Sequence, residues 1–273
     1  MISAAIALAI MATAVSAQQQ TPTRYTTALY VKVQPGKAGA FREYYATGDG
    51  GKLIRAQMKA NPKMLSWSLR QPMYGGSNGA GASHVMLTLW DGAPSFLEPA
   101  KRDEIYKATT GMTFTQTQEK LAGMREVVGS TISHLHDTVG QLEQGDYVVL
   151  QRYKTAPGRS DELNAMMHDV RLPMVTERIK GGGGLKYWAF THLALAAGSS
   201  EAWDATISRA FKNLDGALGA GGGGAGGANA NAAAAQFAKL FPTKSYTAYV
   251  NDFREYASLV RTDVHYIAVL IRP

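Results

Sequence analysis

Residues 145–180, GDYVVLQRYKTAPGRSDELNAMMHDVRLPMVTERIK, decide the fold. Residues 147–154 are rich in β-branched and aromatic side chains and read as a strand. Pro157-Gly158 stops it, because proline cannot extend a central ladder. An amphipathic helix follows over 160–179, with Ser160 as its expected N-cap and Asp161 and Glu162 in its first turn. Leu163, Met167, Val170 and Met174 fall at helical spacing, and Pro173 predicts a kink. Residues 28–46, ALYVKVQPGKAGAFREYYA, give the same order of strand, Pro-Gly-basic turn and helix. Pro35 and Pro157 stand 122 residues apart (157 − 35), and Phe41 and Leu163 keep that offset.

Working outward, alternation and turn residues predict strands over 25–34, 63–71, 83–90 and 130–139 in the first half. Helices fill 38–60, broken at 48–51, and then 94–108 and 115–127. Residues 74–82, YGGSNGAGA, read as a flexible hairpin loop. The second half predicts strands over 147–154, 185–195, 202–211 and 259–271, with helices between. Further pairs tie the halves: Trp67 and Trp188 at offset 121, and Arg125-Glu126 with Arg254-Glu255 and His136 with His265 at offset 129. The drift asks for extra residues in the second copy, and the Gly/Ala-rich tract 216–235, read as a flexible insertion, supplies them.

The order is βαββαβ, twice. Such a unit folds as a four-stranded antiparallel sheet with both helices on one face. The bare face must find cover, and two fused units can cover each other. The expected fold class is therefore α+β: two ferredoxin-like units in tandem, 24–142 and 143–273, with their sheets face to face as a pseudo-dimeric barrel and helices outside. A monomer of this kind is its own pseudo-dimer, with a homodimer as the alternative.

Composition narrows the function. Of the 273 residues, 45% are hydrophobic and 18% charged, as in ordinary globular proteins. Residues 1–17, MISAAIALAIMATAVSA, have the shape of a signal peptide ending in a small-x-small site, followed by a polar leader over 18–23. The run falls short of the roughly 20 apolar residues that span a bilayer. The expectations are a periplasmic or secreted protein and no membrane span after signal removal. There is no cysteine, which excludes disulfides, thiolate metal sites and cysteine nucleophiles. The net charge of +7 is scattered, without a run of five or six basic residues, so nucleic acid is not an expected partner.

On this element order, the Pro-Gly-Lys/Arg turns and the strand tryptophans, the chain resembles the dimeric α+β-barrel superfamily, which includes antibiotic-biosynthesis-monooxygenase-like proteins. The resemblance covers both halves. It implies a pocket between sheet and helices, which members use for cofactor-free oxygenation, haem binding or degradation, or small-molecule binding. No catalytic motif of the family matches, so no catalytic residue is carried over.

The residues themselves suggest a few sites. His134 and His136 share a strand face and form a weak metal pair without a visible third ligand. Haem would need an axial histidine, for which His168 on the kinked helix is the candidate, but no cofactor is required by the pattern. Trp67, Trp188, Phe190 and His192 form an aromatic set on the two second strands, with Tyr187 on the opposite face. Together with His136 and His265 they are the candidate ligand-binding residues. Asp204 and Asp263 are the strand carboxylates whose proton affinity burial would shift. The formal Gly-x-Gly-x-x-Gly at 219, 221 and 224 has no parallel βαβ context and is a product of glycine abundance. The expected function is binding of a small apolar or aromatic molecule. The alternatives are a cofactor-independent monooxygenase acting on a phenolic or quinone-like substrate, and a structural envelope protein that binds a partner.

Overall fold

The two Pro-Gly turns close alike, with Gly36 at φ +75° and Gly158 at φ +74°, a region that a Cβ disfavours. In this computed structural model, which describes residues 23–74, 81–182, 184–197, 202–221 and 228–273, the turns sit at matching places in two copies of one topology. The first copy runs β1 (Arg24–Val33), α1 (Ala38–Ala46), α2 (Asp49–Ala60), β2 (Met64–Tyr74), β3 (His84–Asp91), α3 (Pro99–Thr110), α4 (Phe114–Ala122) and β4 (Arg125–Gly140). The second runs β5 (Tyr147–Thr155), α5 (Ser160–Met166), a π-helical turn (Met167–Arg171), α6 (Leu172–Lys180), β6 (Leu185–Ala197) and β7 (Ala205–Phe211). It ends with α7 (Leu214–Gly221), α8 (Ala228–Leu240), α9 (Tyr246–Tyr256) and β8 (Ala257–Ile271). The export-signal reading of 1–17, the leader to residue 22 and most of the 74–82 loop lie outside the described residues.

The strands close into one antiparallel barrel in the order β1-β3-β2-β8-β5-β7-β6-β4. Each half contributes its ferredoxin-like sheet, and the edges are joined by β2 to β8 and β4 to β6. Closure removes both open edges. It also makes the sheet two-sided: Tyr30, on the face opposite Leu29 and Val31, is buried inside the barrel rather than in solvent. The outer face carries the two larger cores. One gathers Phe41, Tyr45, Ile54, Trp67 and Leu69 with Val269 and Ile271 of β8. The other gathers Leu163, Met167, Trp188, Phe190 and Phe211, with Val139 of β4 packed against it. Each half thus lends its last strand to the other's core.

Several expectations change on contact with the coordinates. Ser160 is the first helical residue, Arg159 is the cap, and no side chain accepts a capping bond there. Pro173 produces no sharp break. The chain takes a π-helical turn, Met167–Arg171, just before it, and α6 continues from Leu172 with the proline in its first turn, where the missing N–H is tolerated. The tract 216–235, read as flexible, is helical over α7 and α8 wherever it is described, in keeping with alanine's helix propensity. The pairing of His136 with His265 also fails. β1 places Val33 opposite Arg125, while β5 places Thr155 opposite Ala257, so the last strands align at an offset of 132 (257 − 125). His265 then corresponds to Ser133 and His136 to Ala268, on opposite faces of the sheet. Arg125 corresponds to Ala257, and Arg254 is an exposed residue at the end of α9.

The same alignment identifies a diverged pair inside the barrel. In the first half, the Tyr30 hydroxyl meets the Thr131 hydroxyl at 3.3 Å. At the matching positions of the second half, Arg152 Nε donates to Asp263 Oδ2 at 2.9 Å, both side chains almost fully buried. Stranding a buried charge outright costs about 3–5 kcal/mol, but Asp263 Oδ2 also accepts from Arg261 Nε at 3.1 Å, so losing Arg152 removes one of two cationic partners. Arg152→Ala is therefore expected to lower stability by about 1.5–3 kcal/mol, the order of one charged hydrogen bond. Arg152→Tyr combined with Asp263→Thr, which copies the neutral pair of the first half, should recover most of the loss. Urea denaturation midpoints of the three proteins check this.

Candidate functional site

Between the outer face of the first-half sheet and helices α1 to α4 lies a cavity of about 470 Å³. Trp67 forms part of its wall, with Leu29 and Met86 from the sheet and Leu53 and Ile54 from α2. Aromatic rings close the remaining sides. Trp90 stacks edge-on with Phe96 at 5.8 Å, and Tyr106 with Phe114 at 5.4 Å. Phe96 is 73% exposed and so stands at the mouth. The space exists partly because α2 carries glycines in its first turn. A Cβ on Gly50 would lie 2.4 Å from Cε1 of Tyr44, inside contact distance, so any larger residue would drive that ring from its place.

The polar groups of the cavity are few and convergent. Trp90 Nε1 donates to Thr27 Oγ1 at 3.0 Å, and Gln57 Nε2 to the Tyr106 hydroxyl at 3.3 Å. Arg125 opens β4 and is buried; its Nη2 donates to the neutral amide of Gln118 at 3.1 Å, and its Nε has no hydrogen-bond partner among the described residues. The Tyr44 hydroxyl is likewise buried without a partner. Burial raises the pKa of Tyr44 well above its ordinary value, and neighbouring Tyr45 adds to the effect. Burial pushes Tyr45 up to about 12, with Arg125 opposing. The phenols therefore stay protonated and act as donors, and the guanidinium is the only charged group among the described lining residues. Among the described lining residues there is no carboxylate, imidazole or thiol. This donor set does not fit haem, because it lacks the usual axial histidine or thiolate and holds its tyrosines in the neutral form.

The matching space in the second half is filled. Met166 and Met167 stand where Tyr44 and Tyr45 stand, and Arg209 stands where Thr88 does. Met167, Trp188 and Phe190 are at most 1% exposed. The second half has instead a more open groove, about 510 Å³, lined by helix and loop residues such as Met166, Phe237 and Tyr249, without a strand residue.

The six ligand-binding candidates therefore separate. Trp67 lines the first-half cavity. Trp188 and Phe190 are packed core, which the period-two pattern could not distinguish from a pocket wall. His136 and His192 lie together on the outer face where β4 meets β6, their rings 5.0 Å apart and His136 5.7 Å from Phe190. His265 faces the barrel interior. The proposed metal pair touches itself, with His134 Nδ1 3.1 Å from His136 Nε2. Among the described residues no three His, Cys, Asp or Glu side chains are grouped to hold a metal ion. His168 is 66% exposed in its side chain and donates from Nδ1 to Asp137 Oδ1 at 2.9 Å, away from the cavity. Asp204 accepts from the Thr155 backbone and hydroxyl at 2.8 and 2.7 Å and so caps a strand end rather than entering a pocket. Sequence reasoning missed Arg125 as a site residue, along with Tyr44, Tyr106 and Gln118. The strand that Arg125 opens is largely polar, REVVGSTISHLHDTVG, so nothing in the pattern singled it out.

The histidines give a pH dependence. Burial, with His134 and His192 nearby, lowers the pKa of His136 to about 4, and burial, with Arg42, does the same for His84. His192 and His265 are lowered as well, mainly by burial. A histidine held neutral in the folded state favours folding fully above its unfolded pKa of about 6.5. That contribution is lost as pH falls from about 6.5 toward 4. Stability should therefore drop over this window, and His136→Phe, which suits the Phe190 neighbourhood, should flatten the slope. Denaturation midpoints at stepped pH provide the measurement.

No protein-family model matches the chain, and no curated protein sequence matches it. Solved structures do. An "anthrone oxidase-like protein" superposes with a TM-score of 0.51 at 9% identity, covering 93% of this chain and 94% of that one. A "putative monooxygenase" from Lactobacillus acidophilus gives 0.51 at 8% identity, covering 92% and 96%. Another protein so described, from Fusobacterium nucleatum, gives 0.54 at 6% identity, covering 92% and 94%. Identity this low speaks to the fold alone. Together with the closed strand order and the matching topology of the two halves, it establishes that the chain has the dimeric α+β-barrel fold, with both ferredoxin-like units carried on one polypeptide.

Proposed function

We propose that the first-half cavity binds a planar aromatic molecule bearing one anionic oxygen group, a carboxylate or an acidic phenol. The observation that carries this reading is Arg125: a buried cation in an aromatic wall, hydrogen-bonded to a neutral amide. A guanidinium recognises a carboxylate through paired donors, and charge-assisted bonds of this kind contribute about 1.5–3 kcal/mol. The Tyr44 hydroxyl is a further donor, and Trp67, Trp90 and Phe114 offer faces and edges for a ring system. A cavity of about 470 Å³ suits two or three fused rings.

Tryptophan-fluorescence titration with 2-naphthoate tests the reading. Arg125→Leu should weaken binding by roughly 10- to 100-fold, while affinity for neutral 2-naphthaldehyde should change little. Equal loss for both, or none for the acid, would refute it. A second reading, a cofactor-independent monooxygenase acting on a phenolic or quinone-like substrate, draws support from the fold shared with the proteins described as anthrone oxidase-like and monooxygenase. The absence of a carboxylate or imidazole among the described lining residues weighs against it, since no side chain there is poised to take a proton at neutral pH. Oxygen consumption with dihydroxynaphthalenes separates the two readings.

We also propose that residues 1–17 direct export, on the apolar run and its small-x-small end. N-terminal sequencing of protein recovered from the periplasm or medium is expected to begin at Gln18. An intact Met1 in the cytoplasmic fraction would end the idea.

A further inference from the structure

The barrel interior carries charge that its own pseudo-symmetry shows to be unnecessary for folding. Inside lies a second cavity, about 100 Å³, on the opposite face of the sheet from the aromatic one. A buried water needs only about 10–15 Å³ measured this way, so the space admits a molecule of several heavy atoms. Arg70, Arg152, His265, Ser68, Ser133 and Tyr187 are among the residues facing it.

Arg70 is 5% exposed, and its one hydrogen bond among the described residues runs from Nε to Ser68 Oγ at 3.2 Å. Burial lowers its pKa, and the groups that offset this are the hydroxyls of Tyr187 and Tyr30, not a carboxylate. His265 is 3% exposed, and its Nδ1 has no hydrogen-bond partner among the described residues. The two are diagonal neighbours across the β2–β8 seam, where Arg70 pairs with Ile267 and Pro72 with His265. Asp263, the nearby carboxylate, does not line the cavity. Its Oδ2 is already shared by Arg152 at 2.9 Å and Arg261 at 3.1 Å.

The other seam supplies an internal control. There Thr191 pairs with Leu135 and Leu193 with Ser133, so Thr191 occupies the place of Arg70 and Ser133 the place of His265. Tyr30 and Thr131 occupy the places of Arg152 and Asp263. The same backbone therefore closes with hydroxyls alone. A buried cation without an opposite charge is costly, and at this seam the fold does not require one.

We propose that the barrel interior is a separate binding site for a small oxyanion, a carboxylate of one to three carbons or an isosteric inorganic anion such as nitrate or bicarbonate. The Arg70 guanidinium supplies the paired donors and countercharge. The His265 Nδ1–H supplies a third donor from the neutral imidazole, and the hydroxyls of Ser68 and Ser133 complete a polar wall. The available volume excludes the ring systems suited to the outer cavity, so the two sites do not share ligands.

Thermal denaturation of the full chain with sodium acetate or sodium nitrate, against the same concentrations of a bulky sulfonate, tests the site. Both small anions should raise the Tm of the wild-type protein and of Arg125→Leu. Arg70→Leu should lose the rise while still binding 2-naphthoate, and His265→Gln should weaken anion affinity several-fold. In the wild-type protein, the imidazole ¹⁵N resonances of His265 should move with acetate in a saturable way, a readout that needs no variant. The proposal is overturned if wild-type Tm and His265 resonances ignore both anions. It is also overturned if the Tm rise survives Arg70→Leu, or if it disappears in Arg125→Leu, which would assign the anion to the outer cavity.

Discussion

The structure depends on two edge-to-edge strand pairings, β2 with β8 and β4 with β6. An isolated ferredoxin-like sheet would present β2 or β4 as an unpaired row of N–H and C=O groups, with one apolar face uncovered. Pairing both edges satisfies the ladders and encloses that face at once. The seams are reinforced from outside, since Val269 and Ile271 pack into the first-half core and Val139 against the second. Neither half retains a complete core without the other. Fusion on one chain makes the pairing intramolecular and removes the concentration dependence that a two-chain barrel would carry.

Fusion also releases the halves from identity. In a symmetric two-chain barrel, a substitution that opens a cavity opens it twice; here each copy can change alone. The second half places Met166 and Met167 where the first has Tyr44 and Tyr45, Arg209 for Thr88 and Ala257 for Arg125. The thioether side chains fill irregular space well, and the result is a packed core around Trp188 and Phe190. The first half keeps rigid phenols around an open volume, held apart by Gly50. One copy supplies packing energy, and the other carries the space that a ligand needs.

The architecture was legible because it is written in short periods. Alternation over 25–34 and 147–154, the Pro-Gly turns and the paired tryptophans each follow from local geometry, and the duplicated order fixes the topology. The site was not legible, for two physical reasons. Alternation states which residues share a face but not what fills the space above that face, so Trp67 and Trp188 look alike in sequence and differ only through their neighbours. The last strand also needs a register, and three residues separate the alignment by matching Arg-Glu and histidine pairs from the one set by the hydrogen-bonded ladders. An odd shift moves every side chain to the other face. That is why His136 and His265 appeared equivalent, and why Arg125 was matched to a helix-end arginine instead of to Ala257.

Three interior or near-interior arginines show what register alone can teach. Arg152, Arg70 and Arg125 are each almost fully buried, yet only Arg152 has a carboxylate, Asp263, against it. Its position in the other half is held by Tyr30 with Thr131, so the ion pair is one of two solutions to a single packing problem. Arg70 and Arg125 follow a different logic. Their counterparts, Thr191 and Ala257, are small, and the backbone around them pairs equally well. Packing therefore explains the small residues but not the guanidinium groups, which among the described residues have hydroxyl and amide neighbours (Tyr187, Tyr30 and Ser68 around Arg70, Gln118 beside Arg125) and no opposite charge. Both face cavities, on opposite sides of the same sheet, one about 470 Å³ and aromatic, the other about 100 Å³ and lined with hydroxyls. The very different volumes are the reason to treat the two proposed anion sites as two rather than one.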